Sequence, residues 1–307
     1  MNWLTLVIVD ALTDSLRIFI DNYSSDVYFK KRGAVAQKIF YGFAYLIIGI
    51  IALCIIGFNP FGVDFSILGL LLLAGALTAI AGIPYFRALE LDDSTNLGIF
   101  IQLAPILYLI LGWLFLGEKI EPIQLLAFCI IISAPILIVL TARKRSRKVK
   151  LKAIFYASLY VLLSVVGNLT FTSVANKSID LIPALSIFII GKGAANVLII
   201  SAVPRWRRRF RTVLKSSKYK VLRPLIANVF VGTTMDLSYC SALVLAPSAA
   251  IASATSDSAV PIVIFFMGIV LSIIWPNFGR EKLNRKSVIV HLLATILVVI
   301  GIILLRN

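Results

Sequence analysis

The sequence is poor in charge, and above all in acidic charge. Only 14% of its 307 residues are charged, with 14 Asp and Glu against 30 Lys and Arg, while 60% are hydrophobic. A soluble domain must cover its outside with polar groups, so this shortage excludes an ordinary soluble protein. A protein whose outside faces hydrocarbon has no such requirement. We therefore predict an all-α integral membrane protein.

Histidine and cysteine are also scarce. The chain has one histidine and three cysteines, and Cys54, Cys129 and Cys240 all fall inside hydrophobic runs. The sequence has no disulfide framework or metal-ligand spacing. It also lacks Ser/His/Asp, paired-cysteine and glycine-rich phosphate-binding patterns. We expect three buried structural thiols, no catalytic residues, no metal and no cofactor, which argues against an enzyme.

Ten hydrophobic runs account for most of the chain. Each is long enough to cross a hydrocarbon core of roughly 30 Å, which takes about 20 helical residues. Charged residues, glycine, proline or asparagine bound every run. The runs cover approximately residues 2–20, 33–57, 65–89, 95–117, 122–140, 151–175, 181–203, 222–245, 248–274 and 288–305. The sequence thus predicts about ten transmembrane helices.

Basic residues are concentrated in alternate loops. The loops after the first, fifth, seventh and ninth runs, counted together with Lys38, Lys152 and Arg223 at the starts of the following runs, contain 24 of the 30 Lys and Arg, and the opposite side contains three. Because cytoplasmic loops carry the excess of basic residues, we place these four loops in the cytoplasm, and the protein in the cytoplasmic (inner) membrane. An even number of spans then puts both termini outside. Basic residues spread between hydrophobic runs also argue against a nucleic-acid partner.

The densest basic segment, residues 205–211, interleaves Trp206 and Phe210 with five arginines. This composition is typical of a short interfacial helix that binds anionic lipids. Alternatively, the arginines only enforce the topology. Both interpretations can hold together.

The two halves of the chain resemble each other. At an offset of 154 residues, 85–91 aligns with 239–245 with four of seven positions identical, and the same offset pairs Lys38 with Lys192. Each half has five spans, an odd number, so the second half must be inverted relative to the first. Inverted repeats are typical of secondary transporters, whose site lies near the midplane. We predict one repeat in 1–142, a basic cytoplasmic linker in 143–152 and a second repeat in 153–307.

Residues 83–138 resemble the EamA-type repeat of the drug/metabolite transporter superfamily. The similarity lies in Tyr85-x-x-Ala88-Leu89, Ala104-Pro105, Leu116-Gly117-Glu118 and Gln124-Leu125. The second half resembles it more weakly, through Ala242-Leu243, Pro261 and Glu281. The resemblance implies ten helices in two inverted halves around a central cavity. It implies no particular substrate, since the superfamily moves amino acids, sugars, nucleotides, cations and drugs.

The first run carries ionisable residues at helical spacing. Such groups cost about 2.5–3.5 kcal/mol each inside a membrane, so they tend to face a cavity and to be functional. Asp10, Asp14 and Arg17 are spaced by four and three residues and share one helix face. Asp14 or Asp10 is a candidate proton-coupling carboxylate, with Arg17 binding a substrate anion or holding the Asp pair. The alternative is a neutralised Asp–Arg pair that stabilises a helix junction.

The ninth run places Ser253 and Asp257 among other hydroxyl residues, four residues before Pro261. Gln102 occupies the corresponding place before Pro105 in the fourth run. Hydroxyls around a carboxylate can coordinate a cation or a polar substrate. They can also simply solvate Asp257 against a neighbouring helix.

Lys192 lies in the middle of the seventh run, between two glycines that permit close helix approach. Its ammonium requires a carboxylate partner, for which Asp236, Asp257 and Asp14 are candidates. Asp236 and Tyr239 are one helical turn apart, and Tyr85 is the repeat mate of Tyr239. The recurrence of a lysine at position 38 favours a structural role for both lysines, with Lys192 the better candidate for contact with substrate.

These patterns together predict a secondary active transporter working by alternating access. Its substrate would be a small polar or amphipathic metabolite or drug, with protons as the candidate coupling ion. The alternatives are a solute exchanger without proton coupling and a membrane enzyme acting on lipid-linked substrates. The single His291 and the short non-cytoplasmic loops argue against the enzyme. Further expected partners are anionic lipids at residues 205–211, and the protein would be a monomer or homodimer.

Overall fold

Long apolar helices make up the protein, because only a helix satisfies its own backbone groups inside hydrocarbon. The computed structural model describes residues 2–29, 34–91, 103–142, 151–175, 179–274 and 285–306. Within these ranges it contains eleven α-helices and no strand. They are α1 (Trp3–Ser24), α2 (Lys38–Ile56), α3 (Phe65–Leu91), α4 (Ala104–Leu111), α5 (Pro122–Ala142), α6 (Leu151–Ala175), α7 (Leu181–Ala195), α8 (Pro204–Ser216), α9 (Leu222–Leu245), α10 (Ala249–Ile274) and α11 (Arg285–Arg306). Three π-helical turns, Ser25–Phe29, Gly112–Leu116 and Asn196–Ile200, continue α1, α4 and α7 in the described chain.

Ten of these helices coincide with the ten predicted runs, which confirms the prediction of an all-α membrane protein. Five segments are long and apolar enough to cross a membrane, at 35–56, 65–88, 151–175, 181–199 and 249–270. Three shorter apolar helices cover 104–116, 122–138 and 288–304. The beginning of the fourth run and most of the predicted linker lie outside the described residues. The last two residues of that linker, Leu151 and Lys152, already belong to α6.

The outer surface of the bundle is apolar. Large side chains such as Ile55 and Phe65 are about four-fifths exposed, at 80% and 78%. The expectation of three buried thiols is wrong for Cys54 and Cys129, which are exposed, whereas Cys240 is buried. A thiol in an apolar run can face either the core or the lipid, since both are apolar, so the run alone does not decide its orientation.

The helices pack in a small set of principal pairs. α1 packs on α9, and α3 packs on both α6 and α7, while α2 pairs with α7, α4 with α10 and α5 with α11. Each of the last three pairs joins a helix of the first half to its counterpart in the second. At the repeat offset, α1 corresponds to α6 and α3 to α9. The pair α1–α9 therefore corresponds to the pair α6–α3. The correspondence is incomplete, because the close pair α3–α7 has only a weak equivalent in α2–α9.

Glycines let α7 approach its neighbours closely, as predicted for the residues flanking Lys192. A Cβ at Gly191 would overlap the backbone of Leu72 in α3. A Cβ at Gly193 would lie 2.6 Å from the backbone nitrogen of Leu46 in α2. The middle of α7 is thus held tightly between α2 and α3.

The basic segment 205–211 forms part of helix α8, as expected for a short interfacial helix. The apolar side chains of α8, including the buried Val213 and the partly buried Trp206 and Phe210, pack against the core. The guanidinium of Arg209 donates a hydrogen bond to the carbonyl oxygen of Phe29 at 2.7 Å. α8 is therefore anchored to the segment that connects α1 to α2.

Candidate functional site

A polar cavity lies in the centre of the bundle. Its empty volume is about 1230 Å³, including the space that opens to solvent. Residues of α1, α2, α3, α4, α6, α7, α9 and α10 line it, so both halves of the chain contribute. The ionisable side chains of the lining are Asp10, Asp14, Arg17, Asp21, Lys38, Lys192, Asp236 and Asp257, together with Tyr41, Tyr45, Tyr85, Tyr108, Tyr160 and Tyr239.

The α1 face places its charges in the cavity as its spacing predicted. Arg17 donates two hydrogen bonds to one carboxylate oxygen of Asp14, at 2.6 and 2.9 Å. Its guanidinium also lies 3.5 Å from the carboxylate of Asp21. Arg17 therefore holds a pair of aspartates, but the second member is Asp21 and not Asp10.

Asp10 connects α1 to α10. It is 4% exposed, and its carboxylate accepts a hydrogen bond from the hydroxyl of Ser256. No basic side chain of the described part of the chain lies within 4.0 Å of it. Asp10 is thus a buried carboxyl with a neutral hydrogen-bond donor.

Asp257 has the same kind of environment on α10. The hydroxyl of Ser253, one turn earlier, donates to its carboxylate at 2.7 Å. Ser253 itself is fully buried behind the cavity wall, and the carboxylate of Asp257 lines the cavity. The residues described include no base within ion-pair distance of Asp257 either.

Lys192 finds its carboxylate in α9. Its ammonium lies 2.5 and 2.7 Å from the two oxygens of Asp236, and both side chains are largely buried. The ring of Tyr45 in α2 lies below the ammonium, with its centroid 5.0 Å away. Of the three candidate partners considered from the sequence, the structure places Asp236 at this position.

A second network, around Asp21, was not predicted. Its carboxylate accepts hydrogen bonds from Tyr41 at 3.1 Å, Gln37 at 3.3 Å and Asn228 at 2.8 Å. The donors come from α9, α2 and the short 3₁₀ helix that precedes α2. Gln37 and Asn228 are buried amides, which sequence periodicity does not distinguish from other polar residues near a helix end.

Lys38, at the start of α2, also lines the cavity. Its ammonium donates to the carbonyl oxygen of Ala79 in α3 at 3.3 Å. It lies against Gly82, where an added Cβ would overlap it. Among the described side chains, no carboxylate is within 4.0 Å of this ammonium. In the sequence, only the alignment of Lys38 with Lys192 at the repeat offset indicated that Lys38 could be a site residue.

Tyrosines surround the Asp10–Asp257 end of the cavity. The rings of Tyr85 and Tyr160 have centroids 5.1 Å apart. The hydroxyl of Tyr108 accepts a hydrogen bond from Asn168 at 2.9 Å. Tyr85 and Tyr239, which the repeat offset aligns, both line the cavity, as expected for candidate substrate-binding residues. Gln102, the remaining candidate, lies outside the described residues.

The charges of the cavity do not balance. The lining contains five aspartates against one arginine and two lysines. Arg17 and Lys192 have carboxylate partners, while Asp10, Asp257 and Lys38 have neutral ones. Groups of this kind are costly inside a membrane and mark binding or proton-transfer sites.

Glu118 lies outside the spans and connects the two halves at one mouth of the bundle. Its carboxylate accepts a hydrogen bond from the backbone N–H of Ala249 at 3.0 Å, at the start of α10. The position therefore caps a helix N-terminus, where a carboxylate is favourable. Burial raises the pKa of Glu118 above its ordinary value of 4.5, and the hydrogen bond from Ala249 opposes this shift.

Comparison with known proteins confirms the resemblance found in the sequence. Residues 24–140 match the model of the EamA-like transporter family. The match lies within the first half of the chain and points to a membrane transporter. No curated protein sequence matches the chain.

A solved crystal structure shares the fold. It aligns over 98% of this chain and 94% of its own length, with a TM-score of 0.60 and 15% sequence identity. At that identity the similarity concerns the fold alone.

Proposed function

We propose that the protein is a secondary active transporter that moves a small polar or amphipathic metabolite or drug by alternating access. One observation carries this proposal. A central cavity inside an apolar helix bundle is lined by eight charged residues drawn from both halves of the chain. A packed apolar core would stabilise the bundle better than a cavity lined by charged residues. We therefore attribute the cavity to function.

The packing of the helices supports two inverted halves. The pairs α2–α7, α4–α10 and α5–α11 each join predicted counterparts, and the pair α1–α9 corresponds to the pair α6–α3, whereas the close pair α3–α7 has only a weak equivalent in α2–α9. A two-fold relation between the halves produces such a pattern. Rocking of one half against the other around a fixed site is the motion that inverted-repeat transporters use.

The proton-coupling role belongs to Asp10 and Asp257, with Asp14 as a third candidate. Burial disfavours an ionised carboxyl that has no counter-ion, so such groups take up and release protons as access to water changes. Asp10 and Asp257 have serine hydroxyls as hydrogen-bond donors, whereas Asp14 is held by Arg17. The helix-junction interpretation therefore suits Asp14 better than the other two.

We further propose that the protein lies in the cytoplasmic membrane with both termini outside. The basic helix α8 and the connection from α1 to α2 then share the cytoplasmic face, which is consistent with the bond from Arg209 to Phe29. The arginines of α8 would contact anionic lipid headgroups there. Its apolar side chains pack on the protein, so we expect surface attraction and not insertion of this helix into the bilayer.

Uptake into liposomes tests the proposal. The purified protein would be reconstituted with an imposed pH gradient, and uptake from a pool of metabolites and drugs would be followed by mass spectrometry. Asp10→Asn and Asp257→Asn remove candidate coupling groups. Asp180→Asn is the matched control, since Asp180 is exposed and its side chain makes no capping hydrogen bond.

We expect the wild type and Asp180→Asn to concentrate at least one solute in response to the gradient. Asp257→Asn should abolish this response. Transport that persists in the two cavity variants without any dependence on pH would identify an exchanger without proton coupling. No solute movement by the wild type would contradict the transporter itself.

A further inference from the structure

Two lysines at equivalent positions of the repeat have different partners. Lys38 and Lys192 are separated by 154 residues, and so are Gly82 and Asp236. The ammonium of Lys192 lies 2.5 Å from the carboxylate of Asp236. The ammonium of Lys38 lies against Gly82, at the place where a side chain would begin. The carboxylate that neutralises one lysine is therefore missing beside the other.

Asn196 lines the same cavity as Lys38, and its side-chain amide has no partner within the described chain. It is 2% exposed, and neither its amide nitrogen nor its amide oxygen makes a hydrogen bond within the described chain. A buried amide without partners loses the hydrogen bonds it would make to water, so such amides are rare. Asn196 lines the cavity, which means that a ligand can supply the missing partners.

The backbone brings these groups together. Gly42, one turn after Lys38 on α2, has the Cβ of Asn196 2.9 Å from the place where its own Cβ would stand. Asn196 begins the π-helical turn at the end of α7, one turn after Lys192. Single π-helical turns are frequent at functional sites, since they re-aim side chains out of the helical register. This turn places Asn196 beside Gly42, one turn after Lys38 on α2.

We infer that Lys38 and Asn196 form a binding subsite for an anionic oxygen group of the solute, a carboxylate or a phosphoryl group. The inference rests on the proposed transport function and adds the charge of the group that binds. The solute oxygen would take the position beside Gly82 that Asp236 occupies beside Lys192. The ammonium of Lys38 and the amide N–H of Asn196 would both donate to it.

The other bases of the cavity are less suited to this task. Arg17 is engaged by Asp14 and Asp21, and Lys192 by Asp236. A solute anion at either would have to compete with a carboxylate already in place. Within the described part of the cavity, Lys38 is the base that can accept an anion without breaking an ion pair.

Binding to the purified protein in nanodiscs tests the subsite. The probes are propionate, its uncharged counterpart propionamide, and inorganic phosphate, with dissociation constants obtained from calorimetry or from thermal shifts. We expect the wild type to bind propionate or phosphate and to bind propionamide at least about tenfold more weakly, as for loss of a charged hydrogen bond. Preference for one anion over the other identifies the group as carboxylate or phosphoryl.

Gly82→Asp and Gly82→Asn form the decisive pair of variants. Both add a side chain of the same size beside Lys38, but only the aspartate restores the ion pair seen at Lys192. We expect Gly82→Asp to bind the anion at least about tenfold more weakly than Gly82→Asn. Lys38→Gln should lose binding to a similar extent, and size-exclusion chromatography would confirm that each variant is folded.

Three results would overturn the inference: equal anion binding by the two Gly82 variants, wild-type binding of propionamide as tight as that of propionate, or no wild-type binding of either anion. Failure of the transporter is a separate result. If the protein binds the anion at Lys38 but moves no solute, the subsite is supported and the transport function is contradicted. If the protein transports a solute but binds propionate and propionamide equally well, the transport function is supported and the subsite is contradicted.

Discussion

Lys38 and Lys192, which the repeat offset aligns, have different surroundings in the two halves of the chain. In the second half, Lys192 is paired with Asp236 and lies in α7, where 61% of the apolar span is buried. In the first half, Lys38 faces Gly82 and lies at the start of a span that is 28% buried. The paired lysine fastens helices together, and the unpaired one leaves a charge available to the cavity. Under our proposal, this difference between the two lysines places anion binding at Lys38.

The largest effect should come from breaking the ion pair of the second half. Asp236→Ala leaves the ammonium of Lys192 buried without a partner, which costs about 3–5 kcal/mol of unfolding free energy. Denaturation of the purified protein in detergent measures this loss. In a double-mutant cycle, adding Lys192→Met should recover much of it. A loss below about 1 kcal/mol for the single variant would mean that the pair does not fasten α7 to α9.

The close packing of α7 gives the next largest effect. Gly191→Ala forces a methyl group onto the backbone of Leu72, which cannot move aside as a flexible side chain would. Overpacking of this kind costs about 1–3 kcal/mol. Gly69→Ala in α3 is the control, since no atom lies within 4 Å of its added Cβ. Equal unfolding free energies of the two variants would contradict the tight placement of α7.

The unpaired lysine should matter little for stability. Lys38→Met removes a largely buried charge that forms no ion pair in the described structure, so we expect a change in unfolding free energy below about 1 kcal/mol or a gain. Solute uptake, measured in the same liposome assay, should nevertheless be lost. Destabilisation as large as that of Asp236→Ala would show that Lys38 is a structural residue like Lys192.

The smallest effect concerns the contact between the halves at Glu118. Burial raises the pKa of this carboxyl in the folded protein. The folded state then binds the proton more tightly than the unfolded state, so the added stability is full below about pH 4.5 and is lost as the pH rises through the raised value. Glu118→Gln cannot ionise, yet its amide oxygen can still accept the hydrogen bond from Ala249.

Unfolding followed as a function of pH would measure this contribution. The wild type should lose stability over that window, and Glu118→Gln should lose less. Glu121→Gln serves as the control, because Glu121 is exposed in the same loop. Identical pH profiles for the wild type and Glu118→Gln would contradict the effect of burial.

Periodicity and hydrophobicity predicted those parts of the structure that depend on a single helix. The shared face of Asp10, Asp14 and Arg17 follows from spacing alone, and all three line the cavity. The partner of Lys192 did not follow, because three carboxylates on different helices were available to it. Only the packing of α7 against its neighbours selects Asp236.

The unpaired groups were the least predictable part of the site. Lys38 lies near the start of the second hydrophobic run, where basic residues are common, and Asn196 is a single amide in an apolar segment. Lys38 lacks a carboxylate partner, and the amide of Asn196 lacks a hydrogen-bond partner in the described chain. Only a three-dimensional structure shows that such a partner is missing. The orientation of Cys54 and Cys129 was unpredictable for a related reason, since lipid and core are both apolar.

Accessibility of the cavity from the two sides of the membrane tests the central claim most directly. Ser164 on α6 lines the cavity, and Leu162 on the same helix faces outward. Each would be changed to cysteine after Cys54, Cys129 and Cys240 have been replaced, and then treated with a membrane-impermeant thiol reagent in vesicles of either orientation. Alternating access predicts that Ser164→Cys reacts from both sides and Leu162→Cys from neither. Reaction of Ser164→Cys from one side alone, in the presence and absence of a pH gradient, would contradict a transporter and indicate a one-sided binding protein.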